Sequence, residues 1–169
     1  FTITIDDVQG TVDRCGTTYK GLPGDVSPDD LILIDDGKLT LRAVEVTATD
    51  VVTEVVVGGP VSNNKGINLP GVAMSVPAMS EKDSEDLRWA LRQGVDMIAL
   101  SFVRSAADIE LVHQIMDEEG RRIPVIAKIE KPQAVENLDE IVDAFDAIMV
   151  ARGDLGVELP LEAVPIVQK

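Results

Sequence analysis

The chain has 169 residues, 45% of them hydrophobic, and a formal net charge of -15. This acidic balance argues against nucleic acid or an anionic membrane surface as a partner, because both require a basic protein face. No apolar run approaches the roughly 18 to 20 residues of a membrane span, and the single Cys15 cannot form an internal disulfide, so we expect a soluble, cytoplasmic globular protein.

The first 58 residues alternate apolar and polar side chains, which predicts short antiparallel strands in a small barrel or sandwich. Predicted strands cover 1–5, 31–34, 39–44 and 51–57. Asp35-Asp36-Gly37-Lys38 separates two of them and carries the Asp-Gly signal of a hairpin. The stretch 58–77 is rich in Gly, Pro, Asn and Ser, which favours a connection between two differently built regions.

From Ser80 onward the pattern alternates helices and strands, which predicts a parallel sheet with right-handed crossovers. A capping box at Ser80 and Asp83 opens a helix that Gly94 ends, and a strand follows at 95–102. The next helix is capped by Ser105 and carries its buried stripe at Ile109, Val112, Ile115 and Met116. A doubly wound sheet and a (β/α)8 barrel both remain open on this pattern.

The stretch 123–160 contains two apolar runs that each end in charge, which predicts two strands buried on both faces. Val135, Leu138, Ile141 and Val142 predict one helix between them. Strand alternation places Lys128 and Glu130 on the same side, about 6.5 to 7 Å apart. Glu130 with Asp154 from the next strand end would suit Mg2+, and the Lys128 ammonium would stabilise a developing anion. A salt bridge at a strand end plus a turn aspartate is the equally weighted alternative.

The segment Arg152-Gly153-Asp154-Leu155-Gly156 is compatible with an anion-binding nest of backbone N–H groups or with an ordinary Gly-rich turn, and the turn is the commoner outcome. Ser101 at a strand end and Lys65 in the connecting stretch are weaker ligand candidates. His113 and Cys15 have no partner in the pattern that would make a zinc site or an activated thiol.

Five motifs occur in an order and at a spacing that resemble the pyruvate kinase family. They are Lys65-Gly66-Ile67-Asn68-Leu69-Pro70-Gly71, Ser80-Glu81-Lys82-Asp83, Ser101-Phe102-Val103-Arg104, Ile126-Ala127-Lys128-Ile129-Glu130 and Met149-Val150-Ala151-Arg152-Gly153-Asp154-Leu155-Gly156. The resemblance implies a β-barrel lid domain over 1–72 that lacks its start. It also implies that 73–169 is part of a (β/α)8 catalytic barrel, comprising about three βα units.

The resemblance further implies phosphoryl transfer from phosphoenolpyruvate to ADP, giving pyruvate and ATP in glycolysis. Mg2+ or Mn2+ would be held by Glu130 and Asp154, with K+ required in the full-length enzyme, which would be a homotetramer. Lys128 would stabilise the transferring group and the enolate. The backbone N–H groups of Gly153 and Asp154 would hold the substrate carboxylate.

By the same resemblance, Lys65 would contact the nucleotide and Asp36 would approach the site on lid closure, while Arg152 and Ser101 are secondary. The family's first three and last two barrel strands are not represented, so we expect residues 1–169 alone to be an inactive fragment. Two alternatives remain: a Mg-dependent phosphoenolpyruvate- or pyruvate-handling lyase of the same barrel superfamily, and a non-catalytic ligand-binding remnant.

Overall fold

A computed structural model describes residues 1–72 and 74–169. The chain forms two compact units, Phe1–Val76 and Pro77–Lys169. Ala73, the first residue of the predicted second domain, lies outside the described residues. Within the described residues, no helix combines the length and the apolar character needed to cross a bilayer.

The first unit is built on a six-stranded sheet with the strand order β2-β1-β5-β4-β3-β6. Its elements are β1 (Thr2–Thr4), β2 (Arg14–Gly16), the short helix α1 (Leu22–Asp25), β3 (Leu31–Ile34), β4 (Leu39–Val46), β5 (Asp50–Val57) and β6 (Ile67–Asn68). The pairing is antiparallel except between β1 and β2, which are parallel. The predicted antiparallel strands are therefore confirmed, with a parallel strand added at one edge.

The hairpin between β3 and β4 forms at the predicted Asp-Gly signal. Asp35, Asp36 and Gly37 have φ values of 54°, 57° and 83°, a left-handed region that Asp and Gly tolerate better than other residues. On β4 the alternate residues Leu39, Leu41 and Ala43 are buried, but Val44, predicted to continue the apolar run, is 57% exposed. Strand alternation accounts for this exposure, because Val44 follows the buried Ala43 and therefore faces the opposite side of the sheet.

The second unit contains a three-stranded parallel sheet with the order β7-β8-β9. Its elements are α2 (Glu81–Gln93), β7 (Ile98–Leu100), a 3-10 turn at Ala106–Asp108, α3 (Ile109–Glu118), β8 (Val125–Ile129), α4 (Pro132–Glu136), α5 (Leu138–Ala144), β9 (Ala147–Val150), α6 (Arg152–Glu158) and α7 (Val164–Gln168). The alternating order and the parallel pairing confirm the α/β prediction for this unit.

The predicted helix signals of the second unit are confirmed. Ser80 and Asp83 form a reciprocal capping box at the start of α2, and Gly94 ends that helix with φ of 83°. All four residues of the predicted stripe on α3 are buried, and they join a core with one face of β8. That face consists of Val125, Ala127 and Ile129, each fully buried. The opposite face carries the half-buried Ile126 and Lys128.

Three predictions for the second unit are wrong. The strand expected at 95–102 is limited to β7, and Phe102 turns into the left-handed region with φ of 54°. The strands are not buried on both faces: Ile148 and Met149, whose side chains point to opposite faces of β9, are 43% and 50% exposed, and β9 is an edge strand of this sheet.

The helix predicted between β8 and β9 is also divided in two. Asn137, with φ of -103° and ψ of 21°, separates α4 from α5. Its side-chain amide donates to the Arg104 carbonyl at 2.9 Å, which fixes the residue between the two helices to a distant segment of the chain. On α5, Ile141 is buried, whereas Val142, predicted to be on the inner face, is 49% exposed.

Candidate functional site

Glu130, directly after β8, is the most deeply buried charged residue of the described chain. It is 2% exposed. A carboxylate is costly to bury unless its oxygens are paired. Oε1 lies 2.5 Å from Lys128 Nζ, and Oε2 accepts the backbone N–H of Phe102 at 2.7 Å. The fold therefore holds a charged oxygen pair in a fixed orientation at a strand end.

Lys128 lies on the open face of β8 with its side chain 24% exposed. Its ammonium donates to Ser101 Oγ at 3.0 Å in addition to its contact with Glu130. The same-side placement of Lys128 and Glu130 predicted from strand alternation is confirmed by this contact. An ammonium has three donors, so the two protein contacts leave capacity for an anionic ligand.

The segment after β7 supplies a partner to each of these two charged side chains. Ser101 accepts from Lys128, and Phe102 donates its backbone N–H to Glu130. Phe102 reaches Glu130 from a left-handed backbone conformation, and its ring is 51% exposed. Sparsely populated backbone conformations of non-glycine residues are concentrated at functional sites.

The segment Arg152-Gly153-Asp154, predicted as a nest or a Gly-rich turn, forms the first turn of α6. Ala151 precedes the helix and donates its N–H to the Ile129 carbonyl at 3.1 Å, which joins the start of α6 to the end of β8. All three residues of the first turn are exposed. The first N–H groups of a helix have no intrahelical acceptor and carry partial positive charge. The backbone N–H groups of Gly153 and Asp154 are thus still compatible with anion binding, but as donors in the first turn of a helix.

Asp154 provides an exposed carboxylate in the first turn of α6, the helix whose preceding residue Ala151 is hydrogen-bonded to Ile129, the residue before Glu130. No hydrogen bond or ion pair is recorded for it within residues 1–72 and 74–169, and the same is true of Arg152. The described residues contain no group of three or more His, Cys, Asp or Glu arranged to hold a metal ion. Mg2+ is commonly held by one or two carboxylates and keeps several waters. Each Glu130 oxygen uses one lone pair on its protein donor and retains another, so the donor set suits such a cation.

Lys131 and Glu158 form an ion pair that sequence reasoning missed. Their side chains are 14% and 3% exposed. The Lys131 ammonium also lies 5.5 Å from the centroid of the Phe102 ring, within cation–π range. The sequence offered one weak signal for each residue of this pair. Lys131 is adjacent to Glu130, and Glu158 lies four positions after Asp154.

Two lysines share one aspartate at the β3–β4 hairpin of the first unit. Lys65 Nζ lies 3.0 Å from Asp35 Oδ1, and Lys38 Nζ lies 2.9 Å from Asp35 Oδ2. Hydrogen bonds from Lys38 and Lys65 hold the pKa of Asp35 below its ordinary value. Asp36, the residue selected from sequence, is exposed with φ of 57°. Within the hairpin, Lys65 is therefore held by Asp35.

The remaining reactive side chains stay outside this chemistry. Burial raises the pKa of the Cys15 thiol, which disfavours its nucleophilic form. Burial, followed by the nearby Arg122 charge, lowers the pKa of His113 on α3.

Comparison with known proteins assigns a family to this arrangement. The family model described as "Pyruvate kinase, barrel domain" matches residues 1–169. The chain is 69% identical over 167 residues to a pyruvate kinase of Corynebacterium glutamicum, covering 99% of this chain and 35% of that protein. It is 63% identical over 167 residues to a pyruvate kinase of Mycobacterium tuberculosis, with the same coverage of 99% and 35%. The chain spans 35% of the length of these curated relatives.

Proposed function

The chain belongs to the pyruvate kinase family, and from this membership we propose that the complete protein transfers the phosphoryl group of phosphoenolpyruvate to ADP, giving pyruvate and ATP. The observation that carries the proposal is the buried Glu130 carboxylate with Lys128 Nζ at 2.5 Å. A buried carboxylate and an ammonium at the mouth of a parallel sheet suit a reaction in which positioning and electrostatics supply most of the catalysis.

Glu130 and Asp154 would hold Mg2+ or Mn2+. Such cations keep several water ligands, which phosphate oxygens can replace. The metal would supply neutralisation of charge on the transferring group. Glu130 is suited to this role because Lys128 and Phe102 fix its orientation from both oxygens. Asp154 is suited because it is exposed on the first turn of α6.

Lys128 would bind the transferring phosphoryl group and then stabilise the enolate oxygen that remains. Its ammonium is held by Ser101 and Glu130, so little reorganisation is required as negative charge develops. The backbone N–H groups of Gly153 and Asp154 would bind the substrate carboxylate, where the partial positive charge of the helix start favours an anion. Arg152 and Ser101 act as supporting residues.

We assign 1–72 to a lid domain and 73–169 to part of a (β/α)8 catalytic barrel. In the lid, Lys65 would contact the nucleotide phosphates and the neighbouring Asp36 would approach the site on closure. The K+ requirement, the homotetramer, the glycolytic role and the cytoplasmic location follow from the same family membership and apply to the complete enzyme. Residues 1–169 alone are expected to be inactive, since the proposed site is completed by other barrel strands.

A coupled assay of pyruvate formation tests the proposal. The complete enzyme, supplied with phosphoenolpyruvate, ADP, K+ and Mg2+, should form pyruvate and ATP in equal amounts. Release of pyruvate from a longer 2-oxo acid by carbon–carbon bond cleavage, with no ADP consumed, would favour the lyase alternative. The absence of any product despite binding of phosphoenolpyruvate would favour the non-catalytic alternative. The same assay on residues 1–169 should give no pyruvate.

A further inference from the structure

The ion pair between Lys131 and Glu158 joins the two elements that carry the proposed metal ligands. Lys131 directly follows Glu130 at the end of β8, and Glu158 is the last residue of α6. Asp154 and Glu158 are separated by four residues on this helix, so they lie on the same face. An ion pair that holds Glu158 against Lys131 therefore also sets the rotation of α6 and the direction of Asp154.

Lys131 also reaches the third strand end. Its ammonium lies 5.5 Å from the centroid of the Phe102 ring, and Phe102 donates its N–H to Glu130 Oε2. One side chain thus contacts the segments that follow β7, β8 and β9. The ion pair is largely buried: the Lys131 and Glu158 side chains are 14% and 3% exposed.

A purely stabilising role does not account well for this pair. Buried ion pairs give little net stability, because removal of two charges from water offsets most of their attraction. Their best supported role is to specify one arrangement of the surrounding groups. The Glu158 carboxylate also lies on the same face of α6 as Asp154. Its ion pair with Lys131 neutralises the Glu158 charge, which would otherwise compete with Asp154 for a cation.

We propose that Lys131 and Glu158 are positioning residues, which orient Asp154 relative to Glu130 and thereby set the affinity for the divalent cation. This inference rests on the proposed function, since it assumes that Glu130 and Asp154 bind the metal. It assigns no metal contact to Lys131 or Glu158 themselves.

The sign of the effect on metal affinity separates positioning from simple electrostatics. Loss of a positive charge near a cation site strengthens cation binding by Coulomb's law. Loss of a group that orients a metal ligand weakens it, typically by about 10- to 100-fold. Lys131→Met therefore has opposite predicted effects in the two cases.

Direct titration of the complete enzyme with Mn2+, followed by the electron paramagnetic resonance signal of the free ion, tests the inference without turnover. We expect Lys131→Met and Glu158→Leu each to raise the dissociation constant about 10- to 100-fold. Lys131→Arg, which keeps the charge, should retain most of the affinity. Lys82→Met is the matched control, because Lys82 forms an exposed i,i+4 pair with Asp86 on α2.

The double variant Lys131→Met/Glu158→Leu removes both charges of this ion pair together, so it tests the inference even where a single variant folds poorly. It should unfold at a temperature near that of the wild type and still bind Mn2+ weakly. Wild-type or tighter Mn2+ binding by the double variant or by Lys131→Met would overturn the inference. If Glu130→Gln binds Mn2+ as tightly as the wild type does, the proposed metal site is overturned, and this inference with it.

Discussion

Phe102 donates its backbone N–H to Glu130 Oε2 at 2.7 Å, so the chain just after one strand orients the charged residue just after the next. Ser101, the preceding residue, accepts from Lys128 at 3.0 Å. Two consecutive residues thus hold Lys128 and Glu130, two of the charged groups of the proposed site. This arrangement requires the left-handed conformation of Phe102, whose φ is 54°.

Replacement of Phe102 tests whether this conformation is strained. We expect Phe102→Gly to be more stable than Phe102→Ala by about 1 kcal/mol, because only the side chain with a Cβ disfavours the left-handed region. Both variants lose the ring and its contact with Lys131, so their difference isolates the backbone. The measurement is the free energy of unfolding in urea. Equal stability of the two variants, or a more stable alanine variant, would show that Phe102 is unstrained.

Replacement of Lys128 tests its assignment to the developing anion. Lys128→Met should lower kcat by roughly 10²- to 10³-fold, the usual cost of losing one electrostatic stabiliser of the transition state. Binding of Mn2+ should remain measurable, since Glu130 keeps the Phe102 N–H. Steady-state kinetics with a parallel Mn2+ titration measure both. Lys82→Met on the exposed face of α2 serves as the control, and unchanged turnover in Lys128→Met would remove Lys128 from the chemistry.

The contact between Lys65 and Asp35 should depend on pH in the acid range. Hydrogen bonds from Lys38 and Lys65 lower the pKa of Asp35 from 3.8, so the ionised form is favoured in the folded chain. The stabilisation is fully present above the ordinary pKa and is lost as the pH falls through the lowered one. NMR shifts of the Lys65 Nζ group should therefore change in strongly acidic solution but not near pH 5.

Asp35→Asn provides the comparison for this titration. In that variant position 35 carries no titrating carboxyl group, so the NMR shifts of Lys65 should show no transition in acid that arises from it. A wild-type transition centred at or above the ordinary carboxyl pKa of about 3.9 would contradict the lowered pKa of Asp35. Addition of salt should weaken the contact, because the pair is close to solvent.

Much of the fold follows from local signals. Ser80, Gly94 and the buried stripe on α3 define helices by capping and by period, and these signals depend on few distant contacts. The hairpin at Asp35-Asp36-Gly37 is likewise determined by residues that accept positive φ. Strand alternation also predicted that Lys128 and Glu130 share a side, and their 2.5 Å contact confirms it.

The missed features depend on contacts between segments distant in sequence. The break at Asn137 comes with a hydrogen bond to Arg104, which periodicity does not encode. The pairing of Lys131 with Glu158 depends on α6 beginning at Arg152, where the sequence left open a nest or a Gly-rich turn. The contact of Lys65 with Asp35 depends on β6 pairing with β3, which brings Lys65 to the hairpin, whereas the predicted approach of Asp36 on lid closure stays a prediction.

A titration of Mn2+ binding to the complete enzyme and to its Glu130→Gln and Asp154→Asn variants tests the central claim most directly. Both substitutions preserve side-chain shape while removing the charge that a hard cation prefers. The account predicts that each weakens Mn2+ binding by at least about tenfold, while Glu110→Gln on the exposed side of α3 has no effect. Mn2+ binding of wild-type strength in both variants would contradict the assignment of the metal to Glu130 and Asp154.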